Sequence, residues 1–160
     1  MDVFARAMYG IQDSIIFGFV AVLIGLIGGV GLGILVGRFT RWDYKPIMGL
    51  MIIFYVLPTF LIVILLSVPF GLGIYNIMGV VGITLIPNFT RAVANAIAGK
   101  FNVHKMGKAV IIQIPLNAAL AILIYNSIGF LGFEPLFIIH LGNDIMEASA
   151  NPLLGPWAFL

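Results

Sequence analysis

The sequence contains no cysteine and very few charged residues. Of its 160 residues, 9% are charged and 62% are hydrophobic, whereas a soluble domain carries about 25% charged residues. The missing cysteine excludes disulfides, thiolate metal sites and a cysteine nucleophile. The shortage of charge excludes an ordinary soluble enzyme, and the high apolar fraction excludes a disordered or collagen-like chain. An integral membrane protein remains.

Familiar catalytic and nucleotide-binding motifs are also missing. The sequence has neither a P-loop nor an HExxH pattern, and it has no serine constellation typical of nucleophilic catalysis. Its eight lysines and arginines are too sparse for a nucleic-acid-binding face. His140, Asp144 and Glu147 have the spacing of one helix face, but a solvated polar face explains them better than a metal site. We therefore expect no enzyme activity, cofactor, metal or nucleic-acid partner.

Four apolar segments predict an all-α, polytopic transmembrane helical bundle. Because a span needs about 20 apolar residues, we place spans at 15–37, 46–70, 74–98 and 109–133. Pro58 lies inside the second segment and predicts a kink there. Residues 134–160 are interrupted by charges and prolines, so we expect an external or re-entrant tail after a transmembrane region formed by residues 1–133.

The basic residues predict the orientation of the chain. With four spans, loops 38–45 and 91–108 share one side of the membrane, and they hold seven of the eight lysines and arginines. Basic residues in short loops favour the cytoplasmic face. We therefore expect a multi-pass plasma-membrane protein with these two loops in the cytoplasm and both termini outside.

Small residues recur every four positions along the first span. They are Ala21, Gly25, Gly29, Gly33 and Gly37. This spacing lets a second helix backbone approach closely, which matters in lipid because no hydrophobic force drives helices together. We interpret the stripe as a helix-packing face whose partner belongs either to this chain or to another subunit.

Three amide side chains fall within the fourth span: Gln113, Asn117 and Asn126. A polar group at membrane depth needs a hydrogen-bond partner. The three side chains are candidates for a solute pathway or for hydrogen bonds between helices, and we favour the second interpretation.

Four further stretches follow one another along the chain. They are residues 2–10 (Asp-Val-Phe-Ala-Arg-Ala-Met-Tyr-Gly) with Ser14 and Gly18, residues 29–37 with Trp42 and Asp43, residues 128–133 (Ile-Gly-Phe-Leu-Gly-Phe), and residues 141–148 with Gly155, Pro156 and Trp157. In this order they resemble dipeptide/oligopeptide-type ABC transporter permeases. The matching family features are the start and end of the second transmembrane helix, a Ser-Phe-Leu-Gly signature, and the external loop before the last helix.

This resemblance implies a subunit of a solute translocation pathway. It implies a partner permease in the lipid bilayer and an ATP-binding subunit that contacts loop 91–108. The candidate contact residues in that loop are Arg91, Lys100, His104, Lys105 and Lys108.

The sequence also departs from the family pattern. Family members carry one more helix on each side of the matched region, and a long cytoplasmic loop with a coupling helix of Glu-Ala-Ala pattern. The 160 residues include neither end helix, and residues 100–108 hold little more than two helical turns at about 1.5 Å per residue. The alternative is a permease-derived accessory subunit that holds other, unrelated membrane subunits together without moving solute.

Overall fold

The computed structural model describes residues 3–38, 59–71, 73–97, 102–131 and 141–150. These residues form five helices and, within the ranges described, no strand. The helices are α1 (Val3–Arg38), α2 (Thr59–Phe70), α3 (Ile74–Ile97), α4 (Val103–Phe130) and α5 (Leu141–Ala150). The prediction of an all-α helical bundle is confirmed.

Three of these helices are long and apolar enough to cross a membrane. They comprise Ala7–Arg38, Ile74–Ile97 and Val103–Phe130, which correspond to the first, third and fourth predicted spans. The second predicted span is described only from residue 59 onward, as the 12-residue α2. The predicted kink at Pro58 lies outside the described residues.

Helix α4 begins earlier than the hydropathy pattern indicates. Asn102 is its N-cap: the Asn102 Oδ1 accepts hydrogen bonds from the backbone N–H of His104 at 3.0 Å and of Lys105 at 3.2 Å. An Asn at this position satisfies amide groups that the first helical turn leaves unpaired. Helix α4 therefore starts at Val103, six residues before the predicted span, and the second half of the predicted loop 91–108 is helical.

The core lies where α1, α3 and α4 meet. Phe17 on α1 and Tyr125 on α4 are both buried, and their rings stack with centroids 3.9 Å apart. Leu85 and Phe89 of α3 belong to the same cluster. Helix α3 is the most buried of the three membrane-length helices, so it occupies the centre of the described bundle.

The predicted external tail contains a helix that docks on α4. Gly142 of α5 lies against the Asn126 carbonyl oxygen and the Phe130 backbone nitrogen. His140 and the side chains of Asp144 and Glu147, which the sequence places on one helix face, lie outside the described residues. The approach of two backbones at Gly142 fixes α5 against the end of α4.

Replacing Gly142 with alanine should release α5 from α4. The new Cβ would lie 2.8 Å from the Phe130 nitrogen and closer still to the Asn126 oxygen, and these backbone atoms cannot rotate away. Overpacking of this kind costs about 1–3 kcal/mol. We expect faster hydrogen exchange across residues 141–150 by mass spectrometry. Gly107→Ala is the matched control, because a Cβ there meets nothing within 4 Å. Equal exchange in the two variants would contradict this docking.

Candidate functional site

The small-residue stripe of α1 lies directly on α3 of the same chain. A Cβ added at Gly25 would lie 2.8 Å from the Leu85 Cβ, and one at Gly33 would lie 2.6 Å from the Val93 Cβ. Cβ atoms at Gly29 and Gly37 would likewise collide with Phe89 and Ile97. Ala21, the fifth position of the stripe, is fully buried. All five predicted positions are therefore together on one interface.

The contact is reciprocal and runs in register. Gly82 of α3 faces α1, where an added Cβ would lie 2.6 Å from the Ile24 Cβ and 3.1 Å from the Ala21 carbonyl oxygen. The contacts pair Gly25 with Leu85, Gly29 with Phe89 and Gly33 with Val93. Residue numbers therefore rise in the same direction along both helices, which means that α1 and α3 are parallel. By contrast, Gly31 and Gly79 face open space. Because α1 and α3 are parallel, their C-terminal ends lie at the same end of the bundle.

An amide network joins α3 to α4. The Asn88 Nδ2 donates to the Asn117 Oδ1 at 2.7 Å, and the Asn117 Nδ2 donates to the Gln113 backbone oxygen at 2.8 Å and to its Oε1 at 3.2 Å. Asn117 is fully buried. Two of the three predicted amides, Gln113 and Asn117, thus lie in one network, together with an asparagine that sequence reasoning did not select.

Asn126, the third predicted amide, lies at a different contact. Its Nδ2 donates to the Ile122 backbone oxygen at 2.8 Å and to the Ser14 Oγ of α1 at 3.4 Å. The Ser14 hydroxyl in turn donates to the Gly10 carbonyl oxygen at 2.8 Å. Asn126 therefore links α4 to α1, about two and a half turns beyond the Asn88–Asn117 pair along α4.

An open groove of about 370 Å³ runs beside the amide network, between α3 and α4. We call it the α3–α4 groove; its lining residues are Asn88, Arg91, Ala92, Asn95, Gln113, Leu116 and Leu120. Asn88 could have been found from the sequence as a polar residue beside Pro87 in a helix apolar enough to cross a membrane. The groove combines one cation, three amides and two leucines on adjacent helices.

The predicted partner-contact residues gather at one end of the bundle. Arg91 is exposed near the C-terminus of α3, and His104, Lys105 and Lys108 are exposed in the first turns of α4. Arg38 ends the parallel helix α1. Lys100 and residues 39–45 lie outside the described residues. Positive charge from three helices thus lies at the end where α3 leads into α4.

Comparison of the sequence with known proteins identifies two transport permeases as relatives. No protein-family model matches the chain. The chain is 28% identical, over 96% of its length, to the dipeptide transport system permease protein DppC of Alkalihalophilus pseudofirmus, of which it covers 50%. It is 33% identical, over 58% of its length, to the glutathione transport system permease protein GsiD of Pectobacterium atrosepticum, of which it covers 31%. The chain spans half or less of the length of these curated relatives.

The two relatives agree with the resemblance noted in the sequence. Both are named as transport permeases, one for dipeptide and one for glutathione. The chain is thus similar, at modest identity, to peptide-type ABC transport permeases. Together with the three membrane-length helices, this similarity indicates a multi-pass inner-membrane protein.

Proposed function

We propose that the chain is a membrane subunit of a peptide-type ABC transporter and forms part of its solute pathway. The observation that carries this proposal is the similarity to a dipeptide permease along 96% of the chain. The glutathione permease points to the same chemical class, because glutathione is itself a short peptide. The proposed solutes are accordingly short peptides.

The packing of the described helices supports a role in transport. Parallel α1 and α3 meet through glycines, which allow the two backbones to approach closely. Alternating access requires two arrangements of the helices that differ by only a few kcal/mol. The amides of Asn88, Asn117 and Gln113 supply polar groups at membrane depth, where such groups commonly mark substrate pathways.

The distribution of charge supports an ATP-binding partner at the basic end. We propose that Arg91, His104, Lys105 and Lys108 lie at the cytoplasmic face, with both chain termini outside, because basic residues near the ends of spans favour the cytoplasm. A partner permease would complete the pathway, and the ATP-binding subunit would contact the first turns of α4. The proposal includes no catalytic residue on this chain.

Purification in mild detergent tests the proposal. We expect a nucleotide-binding ATPase to co-purify with the chain, and the double change Lys105→Glu and Lys108→Glu to weaken its binding by about tenfold or more, because like charges in an interface cost several kcal/mol. Bound ATPase is measured by quantitative mass spectrometry. Arg6→Glu, in the first turns of α1, is the matched charge-reversal control. Retention of the ATPase by the double variant would rule out this contact.

A second candidate function follows from the short connection between α3 and α4. Only residues 98–102 separate Ile97 from Val103, whereas the family resemblance implies a long loop with a coupling helix. This observation favours a permease-derived accessory subunit that holds other membrane subunits without transporting solute. Co-purification of unrelated membrane subunits in the absence of any ATPase would favour this function over the first.

A further inference from the structure

We propose that the α3–α4 groove binds one anionic phospholipid, with its phosphate at Arg91 and its acyl chains along Leu116 and Leu120. The groove shares Arg91 with the basic end of the bundle but lies between α3 and α4 rather than on the first turns of α4, and the proposal does not depend on whether the chain transports solute. It rests on the polarity, depth and charge of the groove.

The polarity of the groove changes in one direction. Asn95 and Arg91 lie in the last two turns of α3, and Gln113 lies beside them on α4. Arg91 is six residues from the end of α3, about 9 Å along the helix axis. Leu120 lies seven residues beyond Gln113, about 10 Å deeper. Asn88 lies level with the two leucines, but its Nδ2 already donates to the Asn117 Oδ1 at 2.7 Å. One end of the groove is therefore polar and near the membrane surface, and the deeper end presents mainly leucine side chains, as in a phospholipid.

The polar end offers donors that suit a phosphate. A guanidinium carries five N–H donors in a planar fork, so the exposed Arg91 can serve a phosphate oxygen alongside other acceptors. The amides of Gln113 and of Asn95, which lies about 6 Å nearer the end of α3 than Arg91, add neutral donors at this end of the groove. Leu116 and Leu120 are 58% and 37% exposed, which leaves apolar surface next to these donors for an acyl chain.

The charge of the groove favours an anionic lipid over a zwitterionic lipid or a peptide. Among the described residues that line it, none is acidic, and Arg91 is the cation. The ammonium of a zwitterionic headgroup, or the N-terminal amine of a peptide, would therefore find no carboxylate there. Basic pockets between transmembrane helices are a recurrent site for anionic headgroups.

Thermal unfolding of the full chain in detergent, titrated with phosphatidylglycerol or phosphatidylcholine, tests the headgroup. We expect a larger rise in Tm with phosphatidylglycerol, and about tenfold weaker binding of this lipid by Arg91→Gln, because a charge-assisted hydrogen bond is lost. Arg6→Gln removes an arginine outside the groove and should bind as the unmodified chain does. The proposal is overturned if both lipids raise Tm equally or if the two variants bind phosphatidylglycerol equally well. It is also overturned if inorganic phosphate raises Tm as much as phosphatidylglycerol does.

A fluorescence measurement tests the acyl chains independently of Arg91. Tryptophan introduced as Leu116→Trp should be quenched more by phosphatidylglycerol with brominated chains than by brominated phosphatidylcholine. Leu123→Trp, also at an exposed leucine of α4 but outside the groove, should show no such difference between the two lipids. Equal quenching of Leu116→Trp by both lipids, or relief of its quenching by a dipeptide, would assign the groove to something other than an anionic lipid.

Discussion

Replacing both Gly29 and Gly33 with leucine should prevent α1 from packing on α3 and abolish the folded bundle. A Cβ at Gly29 would lie 2.9 Å from the Ile86 carbonyl oxygen, and one at Gly33 would lie 3.0 Å from the Thr90 carbonyl oxygen. Backbone atoms cannot move aside as a flexible side chain can. Each overpacked position costs about 1–3 kcal/mol even for added methylenes, and a leucine adds much more than one.

Gly31 provides the matched control on the same helix. A Cβ there meets nothing within 4 Å, so Gly31→Leu adds the same side chain on the open face of α1. Leucine also has a higher helix propensity than glycine, by up to about 1 kcal/mol. Size-exclusion chromatography in detergent and unfolding by SDS should show a native-like control and a lost or aggregated double variant. A double variant with unchanged unfolding would mean that α1 does not pack through this face.

The contrast between these glycines shows what sequence reasoning can and cannot find. The four-residue spacing from Ala21 to Gly37 was enough to select the packing face, because helical periodicity is a local property. The spacing does not identify the partner helix, because contact with Leu85, Phe89 and Val93 depends on the tertiary arrangement of helices that are far apart in the sequence. Gly82, the reciprocal small residue of α3, has no such repeat around it and gave no periodic signal.

The boundaries of α4 and the membership of the amide network were missed for different reasons. Hydropathy averages over many residues, so it placed the span at residue 109 and overlooked the local N-cap at Asn102. Asn88 and Asn117 are 29 residues apart, and no local pattern pairs them. The resemblance to a permease family came from the order of several short motifs, and the curated relatives confirm it. The orientation of the termini stays a prediction.

Replacing Asn117 with leucine should destabilise the α3–α4 contact more than any other single polar change in α4. The Asn117 Oδ1 accepts from Asn88 across the helices, and its Nδ2 donates to Gln113 in a fully buried position. Loss of the Asn117 side chain leaves the Asn88 amide without this hydrogen-bond acceptor, at a cost of about 1–3 kcal/mol in stability. Ser127→Ala is the control, because the exposed Ser127 hydroxyl donates only within its own helix, to the Leu123 oxygen at 2.7 Å.

A double-mutant cycle separates the interhelical hydrogen bond from the other consequences of the change. The two single variants Asn88→Ala and Asn117→Ala and their combination, unfolded by SDS in detergent, should give a coupling energy of about 0.6–1.7 kcal/mol, the range that such bonds reach inside membranes. A coupling near zero would mean that the two amides do not form a hydrogen bond in the folded chain.

Peptide transport measured on the same variants then distinguishes the two roles considered for these side chains. If the amides only hold the helices together, activity should follow stability across the four proteins. If they line the solute pathway, Asn88→Ala should lower transport by more than its loss of stability explains.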